Sequence, residues 1–165
     1  MAQLKFKGEP INTIGDLPKL KQKIGLNTLL KSNLHETSSK DYSGKRKVLN
    51  IFPSIDTGVC AASVRQFNKI ASQLKNTVVL NVSMDLPFAM TRFCGAEGIT
   101  NVETLSGFRS QFGKEFGVTI KDSPFAGLYA RSVVVLNEND EVIHVELVPD
   151  IVQEPNYDAA IKALA

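Results

Sequence analysis

The stretch Val48-Leu49-Asn50-Ile51-Phe52-Pro53-Ser54-Ile55-Asp56-Thr57-Gly58-Val59-Cys60 decides how this chain folds. Its first five residues are an apolar run of strand length. A different spacing follows at once, in which Cys60, Val64, Phe67, Ala71 and Leu74 step by three or four along one side. Steps of that size share one face of a helix, whereas a short apolar run suits a strand covered on both faces. A second apolar run, Thr77 to Val82, comes next, so the chain from about Val48 to Val82 reads as a β-α-β unit.

Working outward, Ser132 to Leu136 is a third apolar run, and Asn137-Glu138-Asn139-Asp140 is a turn between two strands. Near the N-terminus, Leu4 and Phe6 alternate with Lys5 and Lys7, Gly8-Glu9-Pro10 breaks the run, and Ile11 to Ile14 resumes it, the pattern of a β-hairpin. Leu86 to Cys94 and Phe108 to Phe116 have helical spacing, and Tyr157 to Leu164 reads as a short amphipathic helix. The polar stretch Lys31 to Lys45 reads as loop with short regular pieces, a connection within one domain. The expected fold is α/β in the thioredoxin-like order: a central mixed sheet flanked by helices, an N-terminal hairpin, and one domain spanning residues 1–165.

Composition narrows the function classes. Apolar residues at 43% and charged residues at 22% lie near globular averages, which points away from disorder and fibrous repeats. The net charge is only +2 and the basic residues are scattered apart from Lys45-Arg46-Lys47, which reads as a solvated strand entry more than a nucleic-acid patch, so neither nucleic acid nor a membrane is an expected partner. No apolar run nears the roughly 18 residues a membrane helix requires, and Met1-Ala2-Gln3-Leu4-Lys5 lacks the core of a secretion signal, so a cytoplasmic location is expected. His35 and His144 stand apart, and no dinucleotide, phosphate or haem motif occurs; neither metal nor bound cofactor is expected.

The two cysteines, Cys60 and Cys94, are too few for a disulfide scaffold and wrongly spaced for structural zinc. In a reducing compartment they are either two buried thiols or a transient redox couple. Context favours chemistry at Cys60, which falls in the first turn of a helix at the sheet edge where α/β proteins display reactive groups. Thr57 is a good N-cap whose hydroxyl is placed to accept from the Cys60 N–H, so Thr-x-x-Cys imitates a capping box with thiol in place of carboxylate. Free N–H groups there favour negative charge, but a helix N-terminus supplies too little to make an ordinary thiol mostly thiolate at neutral pH. A cation is required. Arg131 is the first candidate because it immediately precedes the buried run at Ser132, which allows it to share the edge with Cys60; Arg65 and Arg92 compete.

At these residues the chain strongly resembles the bacterial thiol peroxidases, peroxiredoxins with an atypical two-cysteine mechanism. Val48 to Arg65 looks like their peroxidatic motif, including Pro53, Thr57 and Cys60 as Pro-x-x-x-Thr-x-x-Cys. Arg92-Phe93-Cys94-Gly95-Ala96-Glu97-Gly98 looks like their resolving-cysteine motif, and Ala130 to Val135 like their arginine strand. The resemblance runs from about residue 4 to the C-terminus and departs mainly between Lys31 and Tyr42. It implies that Cys60 is the nucleophile, Thr57 hydrogen-bonds thiolate and peroxide, Pro53 shields the site, and Arg131 orients the peroxide. It further implies that Cys94 closes a disulfide onto Cys60, that thioredoxin reduces it, and that the protein is a homodimer.

The implied activity is reduction of hydrogen peroxide and organic hydroperoxides. Glycines after Cys94 favour a segment that unwinds cheaply, and local unfolding around both cysteines is expected. Phe88, Phe108, Phe112, Phe125, Leu128 and Tyr129 are candidates for an apolar groove and equally for core or interface. The competing function is a peroxide sensor that relays its disulfide to a partner. A thiol-disulfide oxidoreductase is disfavoured, because Thr57 stands where Cys-x-x-Cys would begin.

Overall fold

The computed structural model describes residues 1–165. Nine strands and four helices follow one another along the chain. Strands β1 (Gln3–Phe6) and β2 (Glu9–Asn12) pair antiparallel as the expected hairpin, with Lys7 and Gly8 at positive φ in its turn. Strands β3 (Leu29–Leu30) and β4 (Glu36–Thr37) come next, then β5 (Arg46–Ile51), α1 (Gly58–Ala71), β6 (Thr77–Ser83), α2 (Pro87–Glu97), β7 (Glu103–Ser106), α3 (Phe112–Glu115), β8 (Ser132–Leu136), β9 (Val142–Leu147) and α4 (Tyr157–Lys162).

Seven strands form one sheet in the order β4-β3-β7-β6-β5-β8-β9. β5, β6 and β7 run parallel; β8 runs against β5 and pairs antiparallel with β9. Alternation along β5 explains its near-continuous apolar reading. Leu49 and Ile51 enter the core on one face with Leu80, Phe112, Phe116 and Tyr129, while Val48 packs on the other with Phe67 of α1 and Ala160 of α4. No helix is long and apolar enough to cross a membrane.

Several sequence expectations need adjustment. The helix expected from Phe108 to Phe116 is confined to Phe112–Glu115. Arg109 takes a left-handed φ of 55°, and the Ser106 and Ser110 hydroxyls accept from the backbone N–H groups of Phe108 and Phe112, so the first half closes as turns. Of the six residues offered for an apolar groove, Phe112 and Tyr129 are core, Leu128 is half-buried, Phe88 and Phe108 are exposed, and only Phe125 lines a cavity near Cys60. Tyr129 fits into a notch made by two glycines. A Cβ on Gly107 would stand 2.0 Å from its hydroxyl, and one on Gly113 would stand 2.4 Å from its ring and 2.2 Å from Thr119 Oγ1. Burial pushes this phenol up to about 12.

Candidate active site

Parallel pairing sends the ends of β5 and β6 to one edge of the sheet, and the chain leaves β5 there through Phe52 to Thr57 before entering α1. Cys60, in the first turn of α1, is wholly buried among Phe52, Ile55 and Val64, with Phe93 and Ile99 packed alongside. The antiparallel register opposes Ile51 to Ser132, so Arg131 falls at that same edge. Arg131 is 2% exposed, and its Nη2 donates to Cys60 Sγ at 3.2 Å.

The guanidinium is fixed from behind. Its Nε donates to the Ile151 carbonyl at 2.8 Å, while Nη1 is buried with no protein partner. Ile151 is held by the hairpin, since its N–H donates to the Lys5 carbonyl and the Lys5 N–H donates to the Pro149 carbonyl. Asp150 accepts from the N–H groups of Lys7 and Gly8, clasping the hairpin turn. Burial alone would raise this carboxyl, but the N–H groups of Val152, Gly8 and Lys7 outweigh it and hold it below the usual range. The sequence gives no sign of this support, because it joins parts of the chain far apart in residue number.

A cavity of about 230 Å³ opens beside this pair. Its lining is mainly apolar and includes Pro53, Thr57, Arg131, Phe6, Phe125 and Ile151; Phe6 and Phe125 meet edge to face with centroids 4.7 Å apart. Thr57 occupies the N-cap position in extended conformation, yet its side chain does not cap the helix. Contrary to expectation, its hydroxyl turns back and donates to the Ser54 carbonyl at 3.1 Å. Its lone pairs therefore remain available as acceptors.

The helix start is also held from below. Asn50 Nδ2 donates to Ser63 Oγ at 3.1 Å and to Asn81 Oδ1 at 2.9 Å, and the Ser63 hydroxyl donates to the Cys60 carbonyl at 2.7 Å. Asn50 stands in the middle of an apolar run, the one signal by which sequence reasoning could have found this network.

Arg65 and Arg92, the other candidate cations, lie elsewhere. Arg65 pairs with Glu97 through two hydrogen bonds of 3.0 Å, and Arg92 with Asp56 at 3.1 Å; all four side chains are substantially exposed. Both pairs bridge the Cys60 segment to α2. Cys94 lies in α2, which continues beyond the expected end at Cys94 as far as Glu97 and stops at Gly98 with φ 65°. Its thiol is half-buried and lines a separate cleft of about 520 Å³ with Lys31, Thr91, Ile99 and Thr104. Burial pushes the Cys94 thiol up, against a smaller lowering from Thr104. Both cysteines are free.

Known proteins resemble this chain in sequence and in fold. The Redoxin family matches residues 13–161. A thiol peroxidase of Corynebacterium glutamicum is 52% identical over 164 residues, covering 99% of each chain, and one of Mycobacterium bovis is 51% identical with the same coverage. The crystal structure of a peroxiredoxin-like protein from Aquifex aeolicus superposes with a TM-score of 0.92 at 33% identity, covering 99% of this chain and 96% of that one.

Proposed function

The chain belongs to the redoxin family, among its thiol peroxidases, and on that footing we propose that it reduces hydroperoxides through Cys60, with Cys94 as the resolving thiol and thioredoxin as the external reductant. The observation that carries this reading is the buried Arg131 guanidinium, 3.2 Å from Cys60 Sγ and lining a cavity of about 230 Å³, with one nitrogen unpartnered.

In the first step the Cys60 thiolate attacks the terminal peroxide oxygen. The S–O bond forms as the O–O bond breaks, sulfur is oxidised to sulfenic acid, and the departing oxygen takes a proton and leaves as water or alcohol. Donors aimed at the separating oxygens stabilise that transition state more than the ground state, which is the role given to Arg131 Nη1. Thr57, its own proton engaged by Ser54, accepts from the hydroperoxide O–H and so sets which oxygen faces sulfur. Pro53 keeps water from the sulfur.

The Cys94 thiol then condenses with the sulfenic acid, releasing water and forming the disulfide. Cys60 is wholly buried and Cys94 lies on a different helix, so both segments unwind locally. The ion pairs that bridge them are solvent-exposed and each is worth only about 0–1 kcal/mol, a low barrier to separation. Two electrons from a thioredoxin dithiol restore both thiols, and the working form is proposed to be a homodimer.

The test is hydroperoxide consumption coupled to thioredoxin, its reductase and a nicotinamide reductant. Wild type is expected to turn over repeatedly, Cys60→Ser to be inactive, and Cys94→Ser to oxidise once and stall. Activity in Cys60→Ser would overturn the assignment, and a wild type that oxidises once and stops would favour a sensor.

A further inference from the structure

We propose that Asp85 is a positioning residue that latches the Cys60 loop to the start of the Cys94 helix, and thereby sets how a sulfenic acid at Cys60 divides between disulfide and over-oxidation. This rests on the two-cysteine reading above. Asp85 stands between β6 and α2, and its carboxylate gathers three donors: Ser54 Oγ at 2.8 Å on one oxygen, and the Ile55 N–H at 2.7 Å with Ser83 Oγ at 2.6 Å on the other. Its own carbonyl accepts from Ser106 Oγ at 2.5 Å, fixing the junction to β7.

What the carboxylate grips matters. Ser54 organises the turn leading into α1: its carbonyl accepts from the Thr57 N–H and hydroxyl, and its Oγ accepts from the Asp56 N–H. Holding Ser54 and Ile55 therefore holds Thr57 at the cavity wall and Ile55 against Cys60. The same residue is the last before Leu86, the N-cap position of α2, which begins at Pro87. The other two bridges between these segments, Asp56 with Arg92 and Arg65 with Glu97, are exposed salt bridges, whereas Asp85 is partly sheltered and bonded to a backbone N–H that has no alternative partner. It is the strongest of the three ties that local unfolding must release.

Two fates compete at sulfenic acid. A second hydroperoxide transfers an oxygen to it, giving sulfinic acid and water or alcohol, and this requires the folded arrangement facing Arg131. Condensation with Cys94 gives disulfide and water, and this requires the unlatched one. Releasing the latch lowers the population competent for the first fate and raises that competent for the second.

The experiment compares wild type, Asp85→Ala and Asp85→Asn at a fixed excess of hydrogen peroxide, reading the sulfinate-to-disulfide ratio by mass spectrometry below the melting temperature of each. Loss of even one charge-assisted hydrogen bond shifts such an equilibrium by roughly 10-fold, so Asp85→Ala should lower the ratio about 10-fold. Asp85→Asn, which keeps the shape and one acceptor, should fall between. A purely structural role would lower the melting temperature and leave the ratio alone; a ratio within twofold of wild type overturns the proposal. Amide hydrogen exchange supplies an arm independent of catalysis. In Asp85→Ala, residues 55–60 and 90–94 must lose protection together, and loosening of neither or only one overturns the latch even if wild type forms no disulfide.

Discussion

Replacing Arg131 by Met tests the arrangement where it is most exposed to refutation. Methionine keeps a flexible stem in a site only 2% exposed and removes the guanidinium, so packing survives better than with alanine. Two contributions disappear. Nη2 no longer donates to Cys60 Sγ, and a hydrogen bond to a charged partner is worth about 1.5–3 kcal/mol. The unpartnered Nη1, the donor proposed to meet the peroxide, is also lost, and removing a donor aimed at developing charge costs about 2.7–4 kcal/mol in a well-studied hydrolase. A loss of about 3–4 kcal/mol, the larger contribution alone because both come from one guanidinium and do not simply add, gives a fall of about 10²- to 10³-fold in the second-order rate of Cys60 oxidation. Stopped-flow single turnover with one equivalent of hydrogen peroxide reads it directly. The Ile151 carbonyl also loses its donor, so about 1–3 kcal/mol of stability should go with it, roughly 2–4 °C per kcal/mol at this size, and the rates must be compared where both proteins are folded. Arg131→Lys keeps the charge but has no planar fork to hold Ile151 and sulfur at once, so it should recover only part of the rate. If Arg131→Met reacts within threefold of wild type, the guanidinium does not act on the reacting atoms.

Two further outcomes follow from the packing. Burial holds the His144 imidazole below its ordinary range, against a smaller opposing effect of Glu146, so the folded state binds this proton less readily than the unfolded one. The residue leaves stability untouched above about pH 6.5 and erodes it as pH falls through that value; His144→Gln should flatten the decline in urea stability between pH 7.5 and 5.5, and parallel declines would refute this. Gly113→Ala would drive a methyl to 2.2 Å from Thr119 Oγ1 and 2.4 Å from the Tyr129 ring, so calorimetry should show a loss of about 1–3 kcal/mol; an unchanged melting temperature would mean that the notch relaxes freely.

The long strands were legible in the sequence because the sheet is covered on both faces. Val48 to Phe52, Thr77 to Val82 and Ser132 to Leu136 read as apolar runs since both of their faces meet helices or core, and β5, β6 and β8 fall on them. β3 and β4 were not legible, because two-residue strands carry no periodicity, and β7 hides in Glu103-Thr104-Leu105-Ser106, a polar spelling whose last three residues are nonetheless buried. At the candidate site, Arg131 was reachable as the residue directly before a buried run, hence at a strand end; that this end shares the edge with Cys60 follows from the antiparallel pairing of β8 with β5. The turned Thr57 hydroxyl was not, since a threonine at an N-cap position has two nearby options and only the backbone course through Ser54 settles between them. The ties of Asp85 to Ser54 and Ile55 and of Ile151 to Arg131 escape any local pattern because these partners lie 20 to 31 residues away.

The tether from Arg131 to Ile151 also bears on how the protein is born. A chain emerging from the ribosome carries Cys60 for 71 residues before Arg131 follows and for 20 more before the carbonyl that steadies it. The β-α-β unit around the sulfur is local enough to form early, yet its cation and the strand-end segment clasped by the hairpin are made last. Nascent thiol and finished nucleophile are thus separated in time, and an unfinished chain holds both cysteines before it holds the cation proposed to activate one of them.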